Sequence, residues 1–292
     1  VVLDPGDDAA VVHAKPGRQL CITTDALRDG VHFGRLFRPE EIGHKALAVN
    51  LSDLAAMGAH PRWFTVALEL PPRFSGVRLD GIARGMARLA AEHRCALIGG
   101  NVIRGDALAL TLCAIGEVPA GGALRRDGLR AGDWIAVSGR LGVAAFGLKR
   151  LCAGSRLGAG AQLSPTPRVN LGVEARKLAS AAIDVSDGLA RDLHRMLEAS
   201  GCGATIWGDK LPTTSEVRLR RDWLELCLRG GEDYELCLGV PPEHWSRLRR
   251  RADRIGVDLT VIGEARSGRG LFFGDSRGAR ARPLSGRGFD HF

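Results

Sequence analysis

Between Pro39 and Gly58 the chain carries a segment that belongs in the interior of a folded protein. Pro39 suits the first turn of a helix, where its missing N–H leaves nothing unpaired. Ile42, Ala46, Val49 and Leu54 then recur at helical spacing, until Gly58 and Pro61 close the run. Leu47, Leu51, Ala55 and Ala56 make this helix apolar almost all round, so it is expected to be largely buried. Asn50 and Asp53 stand three apart on one face of it. A buried carboxylate is costly unless it is paired or bound to a metal. Asp53 is therefore either a functional group or a polar residue at the helix edge.

Such a helix needs a chain able to surround it. The 292 residues are 45% hydrophobic and 25% charged, enough for a sizeable core and unlike a disordered chain. The length slightly favours two moderate domains over one. The longest apolar run, near Ala107 to Ile115, is about half the ~18 residues that a membrane-spanning helix requires, so no membrane partner is expected. The start, Val1-Val2-Leu3-Asp4-Pro5, has no basic region and no signal-peptide core. Seven scattered cysteines, without a C-x-x-C pair, argue for a reduced, cytoplasmic protein rather than a disulfide scaffold or zinc module. Basic residues outnumber acidic ones 41 to 33, and arginine supplies 36 of the 41. That surplus could serve a nucleic acid. Yet lysine-rich runs, zinc-finger spacing and aromatic RNA-recognition strands are missing. The densest basic stretch, Arg247 to Arg254, has the spacing of a solvated helix face, and no nucleic-acid partner is expected.

The first half reads as alternating strands and helices: a strand at Leu20 to Thr24 ending on Asp25, the helix from Pro39, a strand at Trp63 to Leu70, and a helix at Val77 to Glu92. A buried strand at Ala96 to Ile98, followed by Gly99-Gly100-Asn101, precedes strands at Leu108 to Ile115 and Trp134 to Ser138. A helix at Val143 to Leu151 and a loop from Ala153 to Pro167 follow. The second half restarts with a helix at Val169 to Ser180 and a strand at Ala181 to Val185. Ser186 then caps a helix that runs through Glu198 and ends at Gly201. Later strands are expected at Ala204 to Trp207, Tyr234 to Val240, Leu259 to Ile262 and Leu271 to Phe273. The reading is an α/β (α+β) protein of two domains, 1–139 and 140–292, with the boundary inside 139–168.

The familiar nucleotide motifs are absent: no G-x-x-x-x-G-K-[ST] loop, no G-x-G-x-x-G and no G-x-S-x-G. Acidic residues at strand ends and turns stand out instead: Asp7 and Asp8 after Gly6, Asp25 after two threonines, Asp53 on the helix, Asp184 and Asp187 around Ser186, and Glu232-Asp233 after two glycines. A strand feeding a helix at Ser186 presents amides at the positive helix end, which favours phosphate. Aspartates beside that point repel phosphate unless a cation lies between. Two carboxylates ~4 Å apart repel by ~4 kcal/mol at an effective dielectric near 20. An all-oxygen set without a His/Cys cluster selects Mg²⁺ over zinc. N-capping accounts for Ser186 and Asp187 but not for Asp184 on a buried strand. A lone histidine such as His32 is more often structural, and the residues alone leave it there.

Together these strings resemble the thiamine-monophosphate kinase family, in the aminoimidazole ribonucleotide synthetase superfamily. The resemblance runs through Gly6-Asp7-Asp8-Ala9-Ala10-Val11, Thr23-Thr24-Asp25, Gly30-Val31-His32-Phe33, the stretch from Lys45 to Gly58, Gly99-Gly100-Asn101 with Arg104-Gly105, and Arg126-Asp127-Gly128 with Gly132-Asp133. It continues through Ile183-Asp184-Val185-Ser186-Asp187-Gly188-Leu189, Gly230-Gly231-Glu232-Asp233-Tyr234-Glu235 and Gly288-Phe289-Asp290-His291-Phe292. It implies a two-domain fold whose N-terminal domain forms the sheet, or half-barrel, of a homodimer. It also implies transfer of a phosphoryl group from ATP to thiamine monophosphate with Mg²⁺, by direct in-line attack. Carried over by position, the magnesium set is Asp8, Thr24, Asp25, Asp53, Asn101, Asp184 and Asp187. ATP contacts are Thr23, Gly100, Asn101, Arg126 and Ser186, and thiamine-phosphate contacts are His32, Glu232 and Phe289. No residue is implied as a covalent nucleophile or general base. Asn101 stands where many members have Asp, and Phe289 where Tyr or Trp is common. Members more often carry a short segment before the first motif, so an N-terminal piece is expected to be missing here. The nearest rivals are superfamily members that activate another acceptor: a selenophosphate synthetase, a hydrogenase maturation factor or a purine-pathway synthetase. A nucleotide-binding regulator without turnover is a rival of another class.

Overall fold

Strands and helices alternate along the chain in two units, each raised on its own sheet. The structure, a computed structural model, describes residues 14–277 and 281–286; Asp8 and Phe289, with the strings around them, lie outside the described residues. The first unit runs β1 (Arg18–Arg28), α1 (Pro39–Ala56), β2 (His60–Leu70), α2 (Gly76–Glu92), β3 (Ala96–Arg104) and β4 (Ala109–Pro119). Its strands lie in the order β1-β4-β2-β3, antiparallel except for β2 against β3.

The second unit begins with β5 (Trp134–Ser138), α3 (Val143–Cys152), α4 (Gly160–Leu163), α5 (Val169–Ala175), β6 (Ala181–Val185), α6 (Leu189–Ser200) and β7 (Gly203–Trp207). It continues through α7 (Ser215–Arg218), α8 (Trp223–Arg229), β8 (Glu235–Val240), α9 (Pro242–Arg254), β9 (Leu259–Arg266), β10 (Gly270–Gly274) and β11 (Arg282–Pro283). The larger sheet has the order β11-β10-β7-β9-β5-β8-β6. Because β5 pairs with β8 and β9, strand pairing starts the second unit before residue 139, upstream of the division read from sequence.

The reason α1 is apolar on every side is its place between the two units. It packs on β1 and β4 of the first sheet, beside α2, and against α5 and β6 of the second unit. Two glycines allow α1 and α2 to cross backbone to backbone. A Cβ on Gly43 would stand 1.9 Å from the Ile82 carbonyl oxygen, and one on Gly85 1.9 Å from that of Glu40. Leu47, Leu51, Leu110, Ala175 and Leu236 join one continuous core across both units. A second core, with Val137, Ile183, Leu193 and Ile206, fills the space between the large sheet and α6.

Several elements differ from their sequence reading. β1 does not stop at Asp25 but runs to Arg28, held along its whole length by β4. β3 is not a short buried strand; it has nine residues with only Ile98 buried, since among the described residues it pairs with β2 alone. α5 ends at Ala175 rather than Ser180, and the chain reverses through Lys177 at φ +64° before Ser180 N–H joins the Gly239 carbonyl. The loop before it contains the short helix α4.

Pairing register divides the first sheet into two faces, because side chains alternate along a strand and paired residues share a face. Thr23, Asp25 and Leu27 turn toward α1, with Leu110, Leu112 and Ala114 of β4. Ile22, Thr24 and Ala26 turn to the other face, with Thr111 of β4, Ala67 of β2, and Asn101 and Ile103 of β3.

Candidate active site

A cavity of about 710 Å³ opens between the units, where the ends of β1 and β6 meet α1 and α3. Its polar wall holds Asp25, Asp53, Asp184, Ser186, Asp187 and Glu232. Phe33, Leu36, Phe37, Leu148 and Leu151 make the apolar part. Each acid comes from a different element, so their convergence is a product of the tertiary fold.

Thr23 donates its hydroxyl to Asp53 Oδ2 at 2.5 Å, tying β1 to α1. Ser52, the next residue on α1, donates to Asp184 Oδ2 at 2.8 Å, tying α1 to β6. Burial pushes the Asp184 carboxyl up to about 8, with Asp53, Asp192 and Asp25 adding to it against the Ser52 hydrogen bond. Burial also pushes Asp25 up to about 6, helped by the charges of Asp53 and Asp187. Asp53 is raised by burial and pulled back by the Thr23 hydrogen bond and the Arg126 charge. These acids feel one another's charge, yet among the described residues no three His, Cys, Asp or Glu side chains group closely enough to hold one metal ion. Such a set suits Mg²⁺, which takes one or two carboxylates together with phosphate oxygens and water, and does not suit a caged structural metal.

The turn after β6 departs from expectation. Ser186 does not cap α6: Gly188 precedes its first residue, and no side chain of that residue closes the helix. Asp192 from the first turn of α6 accepts instead from the amides of Ser186 (3.1 Å) and Asp187 (2.9 Å). The amides read as a phosphate cradle are thus already satisfied by a carboxylate. Arg195 holds Asp187 at 2.7 Å and Asp192 at 3.0 Å. A first-turn acid seven residues past a strand end was a legible signal for this turn; Asp192 was missed because it bonds backwards.

The β1–α1 connection brings His32 to the cavity wall through a tight turn. Gly30 N–H reaches the Phe33 carbonyl at 2.9 Å, with Gly30 at φ +80°. Arg28 N–H donates to His32 Nδ1 at 3.1 Å, which leaves the ring proton on Nε2 in the neutral form. Glu232 sits on the Gly230–Tyr234 loop, which is fastened to the β6 turn: Glu232 N–H reaches the Ser186 carbonyl at 2.7 Å and Tyr234 N–H that of Val185 at 2.9 Å. Gln162 donates to one Glu232 oxygen and Lys45 pairs with the other at 2.7 Å. Lys45 and Gln162 are functional neighbours that residue-by-residue reading passed over; a lysine inside an apolar helix was the available clue.

The structure therefore brings together Thr23, Asp25, His32, Asp53, Asp184, Ser186, Asp187 and Glu232, with Arg126 acting on Asp53 through its charge. It does not bring Thr24, Gly100 and Asn101 to the same cavity. Thr24 and Asn101 lie on the opposite face of the sheet, in adjacent rows on β1 and β3 at its two edges. Three strand spacings of ~4.8 Å separate those edges by ~14 Å, so the two side chains of one chain do not share an ion. Asn101 Oδ1 accepts from the adjacent Val102 amide at 2.9 Å. Gly100 is packed against β2, where a Cβ would meet the Val66 carbonyl oxygen at 2.0 Å.

Comparison with known proteins gives this geometry its context. The N-terminal domain of AIR synthase related protein matches residues 6–118, and the C-terminal domain of the same family matches residues 130–275. Thiamine-monophosphate kinase of Salmonella typhimurium is 41% identical, over 98% of this chain and 91% of its own length. The crystal structure of thiamine-monophosphate kinase from Stenotrophomonas maltophilia superposes with a TM-score of 0.88 at 42% identity, covering 93% of this chain and 90% of that one. AaThiL complexed with AMPPCP and TMP superposes with a TM-score of 0.85 at 32% identity, covering 98% and 91%. With both domains matched in order and the likeness running the length of the chain, this protein belongs to the AIR synthase related family and, within it, to the thiamine-monophosphate kinases.

Proposed function

We propose that the protein catalyses transfer of the γ-phosphoryl group of ATP to thiamine monophosphate, giving thiamine diphosphate and ADP. The observation that carries this reading is the cavity itself. Four aspartates from β1, α1, β6 and the turn after it line it together with His32, Glu232 and an apolar wall. The aspartates suit a nucleoside triphosphate neutralised by cations. The apolar wall suits a heteroaromatic body, and His32 lines the same cavity. Asp25, Asp53, Asp184 and Asp187 are the residues that would hold Mg²⁺, which supplies neutralisation of the charge spread over the transferring phosphoryl oxygens.

An oxygen of the acceptor phosphate attacks the γ-phosphorus while the bond from that phosphorus to the β–γ bridging oxygen breaks, and ADP leaves with the electron pair. The acceptor oxygen is already ionised at neutral pH, so no general base is required. The protein's contribution is alignment: Thr23 fixes Asp53, Ser52 fixes Asp184, and the loop of Glu232 is bolted to the turn of Asp187. A homodimer fits the open face of the first sheet, where Leu20, Ile22 and Ile103 are 39%, 65% and 55% exposed. Thr24 and Asn101, which the cavity leaves out, lie on that same face. We place the domain boundary between β4 and β5. A cytoplasmic setting agrees with seven cysteines that are all free. No described helix is long and apolar enough to cross a membrane.

The test is acceptor choice. Purified protein with ATP, Mg²⁺ and thiamine monophosphate is expected to form thiamine diphosphate and ADP in equal amounts, followed by chromatography of both products. ADP formation without thiamine diphosphate, or with a preference for another acceptor such as selenide, would transfer the protein to a sister activity of the same fold.

A further inference from the structure

We infer that Lys45 is a positioning residue for thiamine monophosphate: its ammonium group fixes Glu232 and the His32 turn together, and so sets affinity for the acceptor without touching it. The inference rests on the reading of His32 and Glu232 as acceptor contacts. Lys45 is wholly buried on α1 and is the one buried lysine or arginine among the described residues. Its Nζ donates to the His32 carbonyl at 2.9 Å, pairs with Glu232 Oε1 at 2.7 Å, and stands 5.4 Å from the centre of the Phe37 ring. All three of those residues line the cavity, and Lys45 does not.

A purely structural role does not call for a lysine here. The helix is apolar all round, and Leu or Met would fill the position without desolvating a charge. The ammonium instead joins two pieces of the wall that come from distant parts of the chain: the β1–α1 connection, through the His32 carbonyl and the Phe37 ring, and the Gly230–Tyr234 loop, through Glu232. Glu232 needs such an anchor. It holds φ +68°, a left-handed conformation that non-glycine residues rarely take, and a freely rotating side chain on that loop would have no defined direction. Lys45 on one carboxylate oxygen and Gln162 on the other define it.

Four enzymes test this: wild type, Lys45→Met, Glu232→Gln and the double variant, each assayed for KM toward both substrates. Glu232→Gln and Lys45→Met are each expected to raise KM for thiamine monophosphate at least tenfold while KM for ATP moves less than twofold. The double variant is expected to match the worse single one, because both changes break the same contact. Equal rises in both KM values for Lys45→Met, or effects that multiply in the double variant, would make Lys45 a core residue only. A Glu232→Gln enzyme with unchanged KM removes the reading of Glu232, and this inference with it. A raised KM in Glu232→Gln beside an unchanged one in Lys45→Met removes the inference alone. If Lys45→Met does not fold, Lys45→Gln in the Glu232→Gln background leaves no unpaired buried charge and serves instead. The same KM as Glu232→Gln supports the role, and a further tenfold rise overturns it.

Discussion

Asp184 shows what the site asks of a single residue. It is the fourth of five residues in β6, whose other side chains are apolar, and is 4% exposed with the Ser52 hydroxyl donating to it. Burial holds its carboxyl near 8, and the carboxyls of Asp233 and Asp192 are likewise pushed up by burial, to about 7 and about 6. In the unfolded chain an aspartate titrates near ~3.9. Between about pH 4 and 8 the folded protein therefore binds more protons than the unfolded chain, and its stability falls as pH rises through that window. The slope reaches ~1.4 kcal/mol per pH unit for each group still titrating. Without divalent cations, Tm is expected to be lower at pH 8 than at pH 5.5. Asp184→Asn is expected to flatten that slope, and Mg²⁺ with ATP to raise Tm most at pH 8. Calorimetry at the two pH values checks it; superimposable wild-type and Asp184→Asn profiles would show that Asp184 carries no such strain.

At the scale of the element, helix α3 makes an apolar wall of the cavity, and its start is governed from far away. Gly142 precedes it at φ +75° with no side chain to cap the first turn. Asp233 does so instead, accepting from Gly142 N–H at 2.6 Å and Ala144 N–H at 3.1 Å. Losing a cap costs about 1 kcal/mol, and leaving two buried amides unpaired raises that to roughly 2–4 kcal/mol. Asp233→Ala is expected to lower unfolding stability by that amount in urea and to weaken acceptor binding through the displaced wall. Asp233→Asn, which keeps an acceptor oxygen, should lose less than half as much. The same example marks what the sequence could tell. Helix α1, β5, β6 and the end of α6 at Gly201 were legible because their signals are local: apolar period, a strand-length run, a C-terminal glycine. The acids of the cavity were legible as residues that apolar surroundings cannot explain. The caps were not, since Asp233 serves α3 across 91 positions and Asp192 serves the β6 turn backwards along its own helix. Nor was the exposure of β3, because only the strand order leaves it at an edge.

For the whole molecule, the first sheet sets the problem. One face is packed by α1 and α2, and the other carries Leu20, Ile22 and Ile103 exposed, with no described helix over them. An apolar sheet face of that kind is a candidate contact surface, and the proposed homodimer would cover it. A second copy of the same face, brought up by a two-fold axis, satisfies both at once. Its consequence reaches the chemistry, because Thr24 and Asn101 lie among those residues and away from the cavity of their own chain. Ile22 is 65% exposed, so Ile22→Asp should leave the fold of one chain intact while placing a charge in the middle of the proposed interface. The expected outcome is a protein with an unchanged circular dichroism spectrum that sediments as a monomer where the wild type sediments as a dimer. Its kinase turnover is expected to fall at least tenfold. A dimer that survives Ile22→Asp would place the contact elsewhere. A fully active monomer would show that one chain completes its own site and that the outward position of Thr24 and Asn101 has no part in the reaction.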